Sequence, residues 1–370
     1  MTARALVVGG TGPTGHHVVR GLVDRGYEVA ILHRGLHERP DTPPEVEHLH
    51  HDPYDDDAVR AVVGGRSVDV LVAMYGRLRR VAEAAAGRVG QFVSVGGVPA
   101  YRGWMNAWLH EPAGLPVPVR EDAPVVRAPE EDEKGYRIVR TEEQVFEHHP
   151  DAAHFRYPYV YGPYQLAPRE WCVVRRVLDG RRRIVLPDDG LTLHHHGFTE
   201  NLAHAVLLAV DQPGAAAGTV FNVGDEEVLS LRQVVELVAA ALGHELEVVS
   251  MPYELAVPAW PLLAQPVPTH RVLDLARVRA ALGYRDVTPA RVAVPATARW
   301  LAAHRPPPGG QEEQVLTDPF DYEAEDRLID AWCQRRAEVA AAARFDPLPG
   351  YGLAYSGPRG RPRSKPDFAR

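Results

Sequence analysis

Residues Ala5 to Val8 form a short apolar run rich in β-branched side chains and lead directly into Gly9-Gly-Thr-Gly-Pro-Thr-Gly15. Such a run reads as a buried strand. A helical apolar spacing, Val18, Val19, Leu22 and Val23, opens immediately afterwards. Strand, glycine turn and helix N-terminus together make the geometry that holds a dinucleotide pyrophosphate. Glycines let the backbone approach the phosphates, and unpaired N–H groups with the helix dipole supply positive potential. Pro13 falls in the first helical turn, where its missing N–H costs nothing. Gly9, Thr11, Gly12, Pro13, Thr14 and Gly15 are therefore candidate cofactor contacts. The plain alternative is an ordinary strand–helix turn.

The chain continues as alternating strands and helices. Glu28–His33, Val46–His50, Val68–Ala73 and Gln91–Val95 read as further strands, with helices after Asp55 and around Arg77–Ala86. Continuous apolar runs of the Val68–Ala73 kind belong to parallel strands covered on both faces. The expected fold class is α/β, a Rossmann-like doubly wound sheet with a smaller C-terminal substrate lobe and a helical extension. The expected divisions are 1–165, 166–304 and 305–370, the extension holding one long helix, Asp321–Arg344, and a tail poor in core-forming residues.

Composition narrows the partners. A net charge of −8 leaves no basic footprint for nucleic acid. No run of about 18 apolar residues occurs, so no membrane span is expected. The start on a strand, without a basic and then apolar leader, points to the cytoplasm. Cys172 and Cys333 make neither a disulfide framework nor a metal set. Adjacent histidines at 194–196 alternate across a strand, so a zinc site is not expected there. The expected partner is a small-molecule substrate, with a homodimer as a further expectation.

After the second strand the chain reads His33-Arg34-Gly35, with no acid until Glu38. An acid there would bind a ribose 2′-hydroxyl, whereas arginine matches a 2′-phosphate in charge and fork geometry. Arg34 thus argues for NADP over NAD. Asp52, after the third strand, is a candidate acceptor for the adenine amino group.

The glycine turn, the four βα units and Arg156-Tyr-Pro-Tyr-Val-Tyr-Gly-Pro163 resemble the extended short-chain dehydrogenase/reductase superfamily over residues 1–300. That branch includes NAD(P)-dependent epimerases, dehydratases and reductases. The resemblance implies cofactor contacts at the strand ends, Ala73, Met74 and Val95, and at Tyr157 and Val160. It also implies a Ser or Thr after the fifth strand and a Tyr-x-x-x-Lys pair on a helix. A phenol with a pKa near 10 needs a neighbouring cation to exchange protons near neutrality, and a spacing of four puts both on one helical face. Ser94 stands one or two places early, and Tyr136 is followed by Arg140 rather than Lys. Arginine can bias the phenol but cannot readily exchange a proton. Trp104, His196 and Arg271 complete the set as candidate substrate contacts, Arg271 because the family often places an arginine on a substrate phosphate there.

Three readings follow: an NADP(H)-dependent oxidoreductase acting on a carbonyl or hydroxyl; a sugar-nucleotide-type epimerase or dehydratase with transient oxidation; and a non-redox nucleotide binder with a degraded catalytic site.

Overall fold

A computed structural model describes residues 2–35, 38–52, 55–74, 77–263, 269–343 and 345. The first half alternates β1 (Arg4–Val8), α1 (Pro13–Asp24), β2 (Glu28–His33), β3 (Glu47–His50), α2 (Asp56–Gly64), β4 (Val68–Met74), α3 (Leu78–Ala85) and β5 (Val89–Gly97). Next come α4 (Glu133–His148), β6 (Ala153–Tyr157), β7 (Tyr159–Tyr161), α5 (Glu170–Leu178), β8 (Arg183–Pro187), β9 (His196–Phe198), α6 (Thr199–Asp211), α7 (Pro213–Ala216) and β10 (Thr219–Asn222). Then follow α8 (Leu231–Ala241), β11 (Glu247–Met251), α9 (Trp260–Leu263), α10 (Ala276–Leu282), α11 (Ala290–Ala303), α12 (Gln311–Leu316) and α13 (Tyr322–Ala342).

Seven parallel strands form the sheet, in the order β10-β6-β5-β4-β1-β2-β3. Alternation along the strands divides its two faces. Val7, Ile31, Val72 and Val93 pack on one face with Val18, Leu22 and Val206 from α1 and α6. Leu6, Leu32, Leu71 and Phe92 pack on the other with Val59, Val81 and Val145 from α2, α3 and α4. A second core, around Val173, Leu186, Val235 and Val294, belongs to the lobe.

Pro158, which has no N–H for a ladder bond, separates two strands. β6 stays in the main sheet, and β7 leaves it to pair with β9. Phe198 is the N-cap residue of α6 and offers no side-chain cap, and the Thr199 hydroxyl is buried without a hydrogen-bond partner among the described residues. Asp225 serves the helix start instead. It accepts from the Phe198 N–H (2.9 Å), Asn201 Nδ2 (2.9 Å) and the Tyr161 hydroxyl (2.7 Å).

The chain divides into two compact units, 1–320 and 321–370. Segment 305–320 packs within the first. Glu313 accepts from Trp171 Nε1 (2.9 Å) and Arg175 (2.6 Å), Arg176 pairs with Asp318 (2.6 Å), and Leu316 joins the lobe core. In the second unit Asp321 caps α13 by accepting from the Ala324 N–H. On this helix Ile329 is buried and Val339 is exposed. The tail from Pro347 lies outside the described residues.

Buried histidines make stability sensitive to acid. Burial drives the pKa of His154 and of His195 down to about 4. The unfolded chain binds those protons near pH 6.5, so their stabilising contribution is complete above that value and is lost as pH falls toward 4. Asp225, raised to about 6 mainly by burial, acts in the opposite direction with a single proton. Lowering pH from 7 to 5 is expected to cost a net ~2–3 kcal/mol from these three groups. Thermal melts at the two values check this, and an equal or higher Tm at pH 5 would contradict it.

Candidate functional site

The glycine turn closes because two side chains are missing. Gly9 has φ +94°, and a Cβ there would lie 2.5 Å from the Met74 carbonyl oxygen. A Cβ on Gly15 would lie 2.2 Å from the Gly9 oxygen. The turn is held by Gly12 N–H donating to the Gly9 oxygen (3.3 Å). α1 then begins with no side-chain cap and no acid in its first turn. Its amides and dipole therefore remain available to an anion.

A cleft of about 980 Å³ runs from this turn. Gly9, Thr11, Gly12, Pro13, Thr14 and Gly15 line it, together with Met74, Arg34 and Val160. Arg39 lines it too, its guanidinium 3.7 Å from the Tyr164 ring centroid. Two expected contacts fall elsewhere. Ala73 alternates into the apolar core beneath α2 and α3, and Asp52 is exposed outside the lining.

A second cleft, about 1310 Å³, extends from the ends of β5 and β6 into the lobe, and Val95, Trp104, Tyr157, His194 and Arg271 line it. Tyr157 is buried there, its hydroxyl donating to the Leu202 carbonyl (3.2 Å). Of the nearby loop aromatics, Trp104 faces this cleft, Tyr101 is buried with its hydroxyl on Asn222 (2.7 Å), and Trp108 is exposed. His196 is not in the lining; its ring sits against Tyr159 and Tyr161, and the wall is made by His194 and His195.

The three expected catalytic groups do not meet in this cleft. α4 turns Lys134, Arg137, Ile138 and Thr141 toward it. Tyr136 lies on another face of the helix, packed against Ala100, Val126 and Val139. Arg140 is exposed and pairs with Glu143. Ser94 is fully buried, 2.7 Å from His154 Nδ1. His154 Nε2 in turn faces Glu142 at 3.4 Å, and Glu142 holds Arg156 through two hydrogen bonds (2.9 and 2.6 Å). This network joins α4 to β5 and β6. Of the two positions one and two places after Ser94, Val95 and Gly96, it leaves no room for a side chain at the second, because a Cβ on Gly96 would stand 2.6 Å from His154 Nε2.

What the cleft does contain is a pair of buried arginines, of which the sequence had singled out only one. Arg169 lies with its guanidinium 3.3 Å from the Tyr159 ring centroid and donates through Nη1 to the Leu262 carbonyl (3.1 Å). Its Nε and Nη2 have no partner. Arg271 donates from Nε to the Trp104 carbonyl (2.9 Å) and from Nη1 to His194 Nε2 (3.3 Å), and its Nη2 has no partner. No carboxylate among the described residues pairs with either guanidinium. Burial and the charge of Arg169 pull Arg271 down to about 10, and burial with the same two cations holds His194 neutral. Buried cations without counter-charges are costly and are relieved by a bound anion.

The parallel sheet, the glycine turn after β1 and the attached lobe make a fold that this chain shares with solved epimerase and dehydratase structures. The solved structures that share it are distant in sequence. The UDP-glucose 4-epimerase of Thermotoga maritima, with UDP-glucose, is 17% identical over 81% of this chain and 99% of its own (TM-score 0.65). The enzyme WbmG of Bordetella bronchiseptica, in complex with NAD and UDP, is 17% identical over 86% and 97% (0.64). DesIV, a dTDP-glucose 4,6-dehydratase of Streptomyces venezuelae with NAD bound, is 21% identical over 82% and 98% (0.60). No family model and no curated protein matches the chain in sequence. Among the described residues no helix is long and apolar enough to cross a membrane.

Gly96→Ser tests the packing explanation. Forcing a side chain onto His154 is expected to destabilise the protein by ~1–3 kcal/mol, read from the denaturation midpoint. A midpoint equal to wild type would show that the hydroxyl is absent for another reason.

Proposed function

We propose that the protein is an NADP(H)-dependent enzyme acting at a carbonyl or hydroxyl carbon of an anionic small molecule. The observation that carries this reading is the Arg169–Arg271 pair, with three unpartnered buried N–H-bearing atoms in the cleft that begins at the ends of β5 and β6. The cofactor side rests on the glycine turn, where any Cβ at position 9 or 15 would fill the space the backbone uses. Gly12, Thr14 and Gly15 would hold the pyrophosphate, with Arg34 and Arg39 at the 2′-phosphate end. When bound, a nicotinamide supplies hydride donation and acceptance.

A proton must also move, and the cleft offers few groups for it. Tyr159 is pushed far above its usual range by burial, and His194 is held neutral. The Tyr157 hydroxyl is committed to Leu202, and Glu133 pairs with Arg137. Of the two remaining proton-exchanging groups that α4 brings to the cleft, His148 stands in the last turn, before the start of β6, which leaves Lys134 in the first turn for this role. An ammonium can donate and recover a proton, which the guanidiniums cannot.

The sugar-nucleotide acting enzymes of the same fold favour a second reading, an epimerase or dehydratase with transient oxidation. A diphosphate would suit the same two arginines. The two readings separate by net cofactor change: oxidoreductase turnover consumes NADPH, whereas epimerisation changes the product without consuming it.

Arg34→Ala is expected to weaken NADPH binding about tenfold or more relative to NADH, since a charge-assisted contact contributes ~1.5–3 kcal/mol. Equal losses for both cofactors would contradict the NADP assignment. With a panel of carbonyl-bearing phosphates and carboxylates, Lys134→Met is expected to lower kcat by about 100-fold or more, while NADPH affinity is kept. Tyr136→Phe should leave both unchanged. If Tyr136→Phe abolishes turnover, the proton-transfer assignment is wrong. If the wild-type protein turns over none of the panel while NADPH binds tightly, the protein is a non-redox binder.

A further inference from the structure

We propose that His33, Glu38, His48 and His50 form a binding site for a divalent transition-metal ion of the Zn²⁺ class, at the open edge of the sheet. The strands themselves assemble the three imidazoles. His48 and His50 are two residues apart on β3 and so share a face, and β2 pairs with β3 so that His33 sits beside His50. That face is the one turned toward α1, where Val46 and Ile31 are already buried. Glu38 is brought to the cluster by the chain between β2 and β3.

The facing atoms are close. His33 Nε2 is 2.9 Å from His48 Nδ1, Glu38 Oε1 is 2.7 Å from His50 Nε2, and the same oxygen is 3.8 Å from His48 Nδ1. One ligand atom from each of the four residues lies within 4.8 Å of all the others. A tetrahedral ion with bonds of about 2.0–2.2 Å holds its ligand atoms roughly 3.4 Å apart, so only small adjustments separate this cluster from a coordination shell. Three imidazoles and a carboxylate suit zinc and its neighbours rather than calcium or magnesium, which favour all-oxygen shells.

Protons set the order of ligation. The Gly35 N–H donates to His33 Nδ1 (3.1 Å), so the His33 proton resides on Nε2, the atom facing His48. His50 Nε2 donates to the Glu38 carboxylate and His48 Nδ1 accepts from His33 Nε2, so the ion enters as the His50 proton moves to Nδ1 and His33 releases His48. His33 becomes the fourth ligand when its proton moves to Nδ1 and the Gly35 contact is given up. A bound ion would fasten the chain after β2 to the edge strand. It would also place positive charge beside Arg34, because His33, Arg34 and Glu38 all line the cofactor cleft. The site does not depend on the chemistry proposed for the other cleft.

The test uses the untagged full-length protein, stripped with chelator and titrated with Zn²⁺ by calorimetry and with Co²⁺ by visible absorption. One equivalent of Zn²⁺ is expected to bind at micromolar concentration, with the Co²⁺ form showing the intense bands of a four-coordinate ion. His48→Asn and His50→Asn should each weaken binding about 100-fold, and Glu38→Gln about tenfold or more. His48 is half-buried and His50 and Glu38 are exposed, so metal-free melting curves should match wild type, and Glu38→Gln alone decides the matter if a histidine variant fails to fold. Absence of binding, six-coordinate Co²⁺ spectra, or binding that survives all three substitutions would overturn the assignment. Survival in all three would place the ion on other histidines.

Discussion

The passage from β1 into α1 depends on a backbone contact that no side chain could share. Gly9 lies against the carbonyl of Met74 at the end of β4, and Gly15 lies against Gly9 itself. This packing aims the uncapped start of α1 along the ends of the central strands, where the sheet order places β4 beside β1. The same contact forms the floor of the cofactor cleft. A methyl group at either position would meet that backbone and push the turn apart. Fold and binding site are thus consequences of one close approach.

The second cleft is organised by charge. Among the described residues neither Arg169 nor Arg271 is in an ion pair, one being stacked on Tyr159 and the other held by the Trp104 carbonyl and His194. Elsewhere in the molecule buried arginines are neutralised, as Arg156 is by Glu142 and Arg176 by Asp318. The contrast gives the unpaired two their meaning. A protein that pairs its structural guanidiniums and leaves these with free N–H groups facing a cleft has left room for a ligand's negative charge.

Much of the fold was legible because local chemistry and tertiary position agree. β2 runs from Glu28 to His33, the bounds read for the second strand, and Asp55 caps α2 by accepting from the Asp57 and Ala58 amides. The catalytic positions were harder to read, because a spacing of four shows that Tyr136 and Arg140 share a helical face but not which face meets the cleft. That depends on how α4 is rotated, and Val139 and Val145, buried against the body, turn Lys134 and Ile138 inward instead. Arg169 gave no signal in one dimension, since a guanidinium before an ordinary helix reads as solvated. The histidines at 33, 48 and 50 were visible as residues, but only the register of β2 against β3 brings them together. The run at 194–196 drew attention by its sequence, yet there burial makes neutral wall and packing residues.

Cofactor and substrate charge are assigned to two clefts that share Pro158 and Tyr159 in their walls, with α4 contributing Lys134 rather than Tyr136. A crystal structure of the NADPH complex tests this most directly. The expected result is the pyrophosphate on the amides of Thr14 and Gly15, the 2′-phosphate on Arg34, and the nicotinamide at Gly96 and Gly97, on the side open to Lys134 and Arg271. A nicotinamide ring within hydrogen-bond reach of the Tyr136 hydroxyl, or a pyrophosphate bound away from the glycine turn, would contradict it.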